Sequence, residues 1–339
     1  NINTSYNYTD GTYWYRRTNN GIFLESDSLT AFDNHAKTDK RTANQNGNLN
    51  IGYKINKQTT VSLEGSLRNT YSRRIDSLEF YWDYNGLYDE SNTRNTNYDE
   101  FRRNAIGQFN LSHRNKKGHS IKLLSRINGI TNPRESDFIE PYILQKEYKN
   151  FLAQTFVNQI DVELPIVKAN NDSSEVKFLT LETGLKSAAR KFTEDYTLYN
   201  FNPASVAYEI QDEFTNSLNY DEEIYAAYGL FKLGNKSNKI STGIRAEHSN
   251  ITSETKSNNY NKTLINFFPS ASFVHNLSET TTLAFNYSKR IKRPRGKQLN
   301  PIPTYSDPFT LRIGNADLIP EKSHMSELSY LIIRKKIVF

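Results

Sequence analysis

The chain has no cysteine, one methionine and few apolar residues. Without cysteine there is no disulfide framework, no thiolate metal site and no cysteine nucleophile, a composition that suits passage through an oxidising compartment. Hydrophobic residues make up 36% of the chain, and the mean hydropathy is −0.74. No run approaches the ~18 apolar residues of a transmembrane helix. Nor is there a G-x-S-x-G elbow, an H-E-x-x-H zinc helix or a phosphate-binding loop. No catalytic constellation, cofactor motif or metal motif emerges, so the chain reads as a non-enzyme. A basic start followed by an apolar core is missing after Asn1, so a leader is expected upstream or already removed.

What is present is aromatic and periodic. Aromatics reach 13%, with 22 tyrosines and 19 phenylalanines, more than a disordered chain carries. Apolar and polar residues alternate with period two. Leu49, Ile51, Tyr53 and Ile55 share one phase, a turn follows at Asn56-Lys57-Gln58, and Val61, Leu63 and Leu67 resume it. Such a pair reads as an antiparallel hairpin with one apolar face. The unit recurs around Asn115–Gly118, after Pro165, around Gly234–Asn238 and around Asn276–Glu279. In the hairpin before Gly234 the apolar phase is read as Ile224, Ala226, Tyr228 and Leu230.

Connections alternate in length. Short turns lie on one side. On the other lie long polar stretches, 71–103, 132–149, 191–220, 249–262 and 289–322. A soluble sandwich has no reason to put every long loop on one edge, whereas outer-membrane barrels have short periplasmic turns and long extracellular loops. The pattern therefore predicts an all-β fold, an antiparallel transmembrane β-barrel, with roughly twelve strands present. The Leu49/Ile51/Tyr53 phase is assigned to lipid. Glu64, Arg126, Asp161, Arg245 and Glu247 fall on the opposite phase. A charge on the lipid face would cost ~2–4 kcal/mol near mid-membrane. Tyr53, Tyr225, Tyr228 and Tyr287 are candidates for aromatic girdles.

A run of motifs carries a resemblance. Ser288-Lys289-Arg290-Ile291-Lys292-Arg293-Pro294, Leu299-Asn300-Pro301, Tyr305-Ser306-Asp307-Pro308 and Gly314-Asn315-Ala316-Asp317-Leu318-Ile319-Pro320-Glu321 follow one another in order. Upstream stand Phe267-Phe268-Pro269-Ser270 and Gly243-Ile244-Arg245-Ala246-Glu247. Together they resemble outer-membrane β-barrel proteins of the TonB-dependent receptor type found in Bacteroidetes. Ala316 replaces the family's usual proline, and Gly296 and Lys297 replace a bulky residue. The resemblance implies that residues 1–339 are one partial barrel domain, without the family's plug and C-terminal strands, from a barrel of about twice as many strands. It implies uptake of a scarce solute, with outer-membrane lipid and lipopolysaccharide around the barrel. The TonB complex would be met through an N-terminal part not in these residues. The alternative is a surface barrel of adhesive or structural role without energy coupling.

Few residues suggest chemistry. The aromatic stretch Phe80-Tyr81-Trp82-Asp83-Tyr84 is the best ligand candidate, with Tyr81, Trp82 and Tyr84 as contacts for an unknown solute. His113 and His119 flank one turn and read as solvated. Asp221-Glu222-Glu223 reads as polar rim. Six of the nine residues from Lys289 to Lys297 are basic, but they are not interleaved with aromatics, so no nucleic-acid partner is expected. The net charge of +6 suits loops that face lipopolysaccharide phosphates.

Overall fold

The computed structural model describes every residue except 26–27, 85–86, 142, 169–177, 257–258, 295, 301–303, 308–309, 316 and 334–339. Side chains are also left undescribed at 21–25, 28–32, 82–84, 87–92, 168, 296–297, 304–307 and 310–312. In chain order the strands are β1 (Ile2–Glu25), β2 (Ser28–Lys54), β3 (Thr59–Tyr84), β4 (Leu87–Arg114), β5 (Ser120–Thr131), β6 (Arg134–Ile139), β7 (Leu144–Lys168) and β8 (Phe178–Asn202). There follow β9 (Ala207–Ile210), β10 (Asn216–Gly234), β11 (Asn238–Thr255), β12 (Asn259–Asn276) and β13 (Thr281–Lys292). One helical turn, α1 (Gly296–Leu299), precedes β14 (Thr304–Asp307), β15 (Thr310–Arg312) and β16 (Glu321–Ile332).

All but β14 and β15 belong to one 14-stranded sheet, ordered β1-β2-β3-β4-β5-β7-β8-β10-β11-β12-β13-β16. Each neighbouring pair is antiparallel, as hairpins in sequence order require. The path holds the twelve strands that the hairpin spacing gives. Two short strands join it, β6 between β4 and β7, and β9 beside β8. Among the described residues β1 pairs with β2 alone and β16 with β13 alone.

The short turns share one device. The Asn56 side-chain oxygen accepts from the amides of Gln58 and Thr59, and Asn235 does the same for Ser237 and Asn238. Asn115 accepts from the His119 amide, and Gly118 supplies a φ of 91° that a side chain would resist. At the opposite end the expectation of irregular loops needs correction. Strands β3 and β4 run unbroken through 71–103, apart from a bulge at Tyr81/Trp82 and the undescribed residues 85–86, and β7 and β8 extend in the same way. Alternation continues through these stretches, but with the two faces exchanged in character, so a search for one apolar phase loses it.

The two faces differ. On the outer face stand Leu63, Leu67, Phe156, Ile160, Leu185, Tyr225, Phe231, Ile244, Ile265, Phe267 and Phe285, all exposed. This apolar band begins at the short turns and stops at a border. Glu223 and Asp221 follow Tyr225 on β10, Lys191 follows Ala189 on β8, Lys289 follows Tyr287 on β13 and Arg103 follows Ala105 on β4. On β10 the band spans Tyr225–Leu233, matching the ~9–11 residues with which a tilted strand crosses a bilayer. Beyond the border the strands project well past it.

On the inner face at the band's height, some charged residues are paired or hydrogen-bonded: Tyr228 donates to Asp161, and Lys232 lies 2.6 Å from Glu182. Past the border large apolar side chains join the buried polar ones on the inner face. Phe80, Phe138, Tyr196, Leu198, Leu218 and Tyr220 are buried there, with Tyr196, Leu198 and Leu218 forming one cluster. The phase assigned to β10 is therefore corrected. Ile224 and Ala226 are buried on the inner face with Glu222, and Tyr228 points inward too, whereas Tyr225 and Phe231 face out. Tyr228 consequently belongs to no girdle. Tyr53 and Tyr225 stand exposed at opposite ends of the band.

Candidate functional site

The most organised part of the inner wall lies at the border, on β8, β10 and β11, where the proline-rich segment after β13 folds back. Alternation splits the acidic triplet of β10. Asp221 and Glu223 point outward, and Asp221 meets Lys191 at 3.1 Å. Glu222 points inward and is buried. Its Oε2 accepts from Nη1 of Arg190 at 3.1 Å, and its Oε1 lies 2.9 Å from Nε of Arg293. That second approach is ionic rather than well aligned, since Glu222 Oε1 and Arg293 Nε lack a directional partner. Next to it on β11, Glu247 accepts from Arg245 Nε and from Arg293 Nη2, both at 2.7 Å. Arg293 thus bridges two buried carboxylates. Three arginines face two glutamates, and Arg190, half exposed, carries the surplus charge toward the open inner space.

Arg293 is the first residue of the returning segment. Leu299, in α1, packs with Tyr220 of β10 and Ile251 of β11. The Gly314 amide donates to the Asn300 carbonyl at 2.8 Å and the Asn315 amide to Gln298 at 2.7 Å. A Cβ on Gly314 would stand 2.4 Å from the Asn300 carbonyl oxygen, so that position needs glycine. Burial and the Glu222 charge push the Tyr220 hydroxyl well above its ordinary pKa. The segment is anchored by an ion pair at one end, an apolar side chain in the middle and backbone bonds beyond.

A second group lies further from the border, on β4, β6, β7 and β8. Arg134 pairs with buried Glu147, Lys149 with buried Glu194, and Arg94 lies 3.4 Å from Glu140. Arg94 also stacks 4.2 Å from the Phe138 ring centroid. Tyr196 is packed among these residues; burial, then the charge of Glu147, raises its pKa far above normal. These pairs cross between β4, β6, β7 and β8 and tie the projecting strands to one another.

The residues singled out in the sequence fall in different places. Tyr81 lies on the outer face of β3, with its hydroxyl 3.1 Å from Glu79 and its ring 5.5 Å edge-on to His35. The side chains of Trp82 and Tyr84 lie outside the described residues; their backbones pair with Phe32 and Thr30. His113 bonds Thr59 at 2.9 Å and His119 approaches Asn115 at 3.3 Å, so each has its own partner. The basic run is divided, with Lys292 on Glu321 at 3.0 Å and Arg293 on the two glutamates. Sequence reasoning passed over the Arg293 bridge, whose partners are far away in the chain. An arginine in a proline-rich return and an isolated inward glutamate were the available signals.

Residues 112–339 match the outer membrane protein beta-barrel family, and the chain belongs to that family. It is an outer-membrane protein, and the solvent of its apolar band is lipid. Solved structures agree on the fold. The ferric-catecholate import receptor Fiu from E. coli K12 is similar with a TM-score of 0.57 at 12% identity, over 97% of this chain and 55% of that one. The alcaligin outer membrane receptor FauA from Bordetella pertussis gives 0.52 at 9%, over 94% and 48%. The copper transporter OprC gives 0.52 at 10%, over 99% and 52%. The chain therefore spans about half the length of these structures. At such identity the likeness is one of fold, the TonB-dependent receptor type of barrel that the motifs resemble. No curated protein matches the chain in sequence.

Proposed function

We propose that residues 1–339 are the barrel part of an outer-membrane receptor that takes up a scarce solute, energised through TonB by parts of the protein outside this chain. The observation that carries this reading is the polar inner wall at membrane height. A small closed barrel fills its interior with side chains. Here Asp161, Glu182, Lys232, Arg245 and Glu247 line the wall, as suits a wide lumen. The surplus positive charge at Arg190 favours an anionic solute. Tyr81, Trp82 and Tyr84, near the far end of β3, are the proposed first contacts for it. The fold and function of Fiu, FauA and OprC support the class without naming this chain's solute.

The test is deletion of the full-length gene, followed by growth with metals, vitamins or oligosaccharides limiting in turn. The expected result is a defect in one condition, restored by the intact gene only when the TonB complex works. A defect restored without TonB, or a loss of surface attachment alone, favours an uncoupled surface barrel.

A further inference from the structure

We propose that a second copy of the protein docks on the outer wall from β4 to β11, inside the membrane, about a two-fold axis beside Asn158 of β7. The sector lies within the sheet, flanked by β3 and β12, so it needs no strand from outside this chain. It starts from a carboxamide in hydrocarbon. Asn158 stands between Phe156 and Ile160, both exposed in the apolar band. Ser125 of β5 donates to its Oδ1 at 2.8 Å. Among the described residues nothing accepts from its Nδ2. In register on the same face follow Ser187 on β8, Tyr225 on β10 and His248 on β11. The Ser187 hydroxyl and the His248 ring also lack a hydrogen-bond partner among the described residues. Lipid tails offer these groups nothing, and a polar group left unpaired in hydrocarbon is costly. Another protein wall at the same depth can satisfy them.

Charge at the border selects the occupant. Arg103 stands there on the outer face of β4, and Glu223 on that of β10. In its own chain Arg103 donates to Asn69 at 3.1 Å and lies over the Phe101 ring, and Glu223 accepts from Tyr225 at 3.5 Å. Neither has an ion-pair partner among the described residues. Strand β4 lies two lanes to one side of β7, and β10 two lanes to the other. A two-fold axis through the middle lane exchanges the sides, and copies inserted in the same direction share every depth. Arg103 of one copy therefore comes opposite Glu223 of the other. Asn158 meets its own counterpart, and an amide both donates and accepts. Shape follows the same exchange. A groove of about 520 Å³ opens beside Asn158, floored by Ser187, Ala227 and Ala246. Phe109 and Ile127, on β4 and β5, come opposite β10 and β8, where it opens. No Asp, Glu, Lys or Arg points outward within the band over these lanes, so no like charges meet. Lys191 and Asp221, also at the border, already join each other at 3.1 Å. This assignment is independent of whether the barrel transports anything.

The test places one cysteine in the full-length protein, with no other cysteine present, and treats outer membranes with a short bis-maleimide. Ile160→Cys, beside the axis, should give a product of twice the mass, and Phe285→Cys, in the band on β13, almost none. Adding Asn158→Leu to Ile160→Cys suits lipid and keeps the fold, which heat-dependent gel mobility checks. It should lower the cross-linked fraction about three- to tenfold, the scale of one hydrogen bond between membrane segments. Glu223→Arg should lower it as well, and Arg103→Glu in the same chain should restore it, a rescue that a merely structural role would not give. Equal cross-linking at Phe285→Cys, or no response to Asn158→Leu, overturns the interface. Failure of the charge exchange to rescue overturns the two-fold arrangement. A product of any other mass makes the occupant a different protein and overturns the second copy.

Discussion

The lower and upper halves of these strands use the same alternation for opposite ends. Below the border Leu185 and Phe231 face out and are exposed, while Tyr228 and Asp161 face in and bond each other. Above it, on the same β8 and β10, Tyr196, Leu198 and Leu218 face in and are buried, while Asp195 and Asn219 face out. The backbone does not change; the solvent does. Lipid rewards an apolar exterior and excludes charge, whereas water leaves apolar side chains only the interior. The projecting half therefore turns part of its apolar surface inward, although Tyr71, Ile75 and Tyr148 remain exposed on its outside.

The strongest way to break this contrast is to place charge on the outer face in each half. Leu63→Arg and Phe285→Arg put a guanidinium into hydrocarbon and should cost ~2–4 kcal/mol, more than Ser62→Arg or Asn286→Arg on the inner face. Asn219→Arg, on the outer face above the border, should be nearly neutral. Urea titration of vesicle-folded protein measures the difference, and equal midpoints would abolish the border. Next in size is Leu218→Ala, at 0% exposure in the upper cluster. It should cost ~2–3 kcal/mol. The loss should appear as faster hydrogen exchange in β8 and β10 above the border, with the membrane half unchanged.

How much the sequence revealed follows the same division. In the membrane half Leu49, Ile51, Leu63 and Phe285 keep one phase, and the Asn56, Asn115 and Asn235 turns are local, so hairpins and lipid face were legible. In β10 the exchange of faces occurs within a few residues, between Tyr225 and Ile224, and a single-phase reading carried Ile224 and Ala226 to the wrong side. The stretch 71–103 looked like loop because 89–97 carries no apolar residue, although Phe80 is buried on the inner face and Tyr98 packs edge-on to Phe138 of β6. The Arg293 bridge was hidden for another reason, since its pairing with Glu247 spans 46 residues. The motif marked the segment as special without saying what it grips.

That bridge sits where the halves meet, and Arg293→Ala sharpens the comparison there. Removing one partner of a buried pair can cost ~3–5 kcal/mol. Here Glu222 keeps Arg190 and Glu247 keeps Arg245, so ~1–2 kcal/mol is expected. The distinctive result is local: protease should cut 294–320 faster in folded protein while the sheet stays intact. Arg293→Lys restores charge but not the two-carboxylate fork and should rescue only partly. Unchanged proteolysis would show that Leu299 and the Asn300–Gly314 bonds hold the segment alone.

The smallest effect belongs to Lys292, one residue earlier on the same strand end. Its Nζ lies 3.0 Å from Glu321, close to the bridge, yet both side chains are well exposed, at 76% and 66%. Water and salt screen such a pair, and holding two long side chains together costs rotamer entropy. Lys292→Ala should therefore change stability by no more than ~0.5 kcal/mol and leave proteolysis of 294–320 at the wild-type rate. Adjacent cations of equal formal charge would then differ through burial alone. A Lys292→Ala effect as large as that of Arg293→Ala would mean that β13 and β16 are locked at the surface, and that the inward bridge is not what holds the segment.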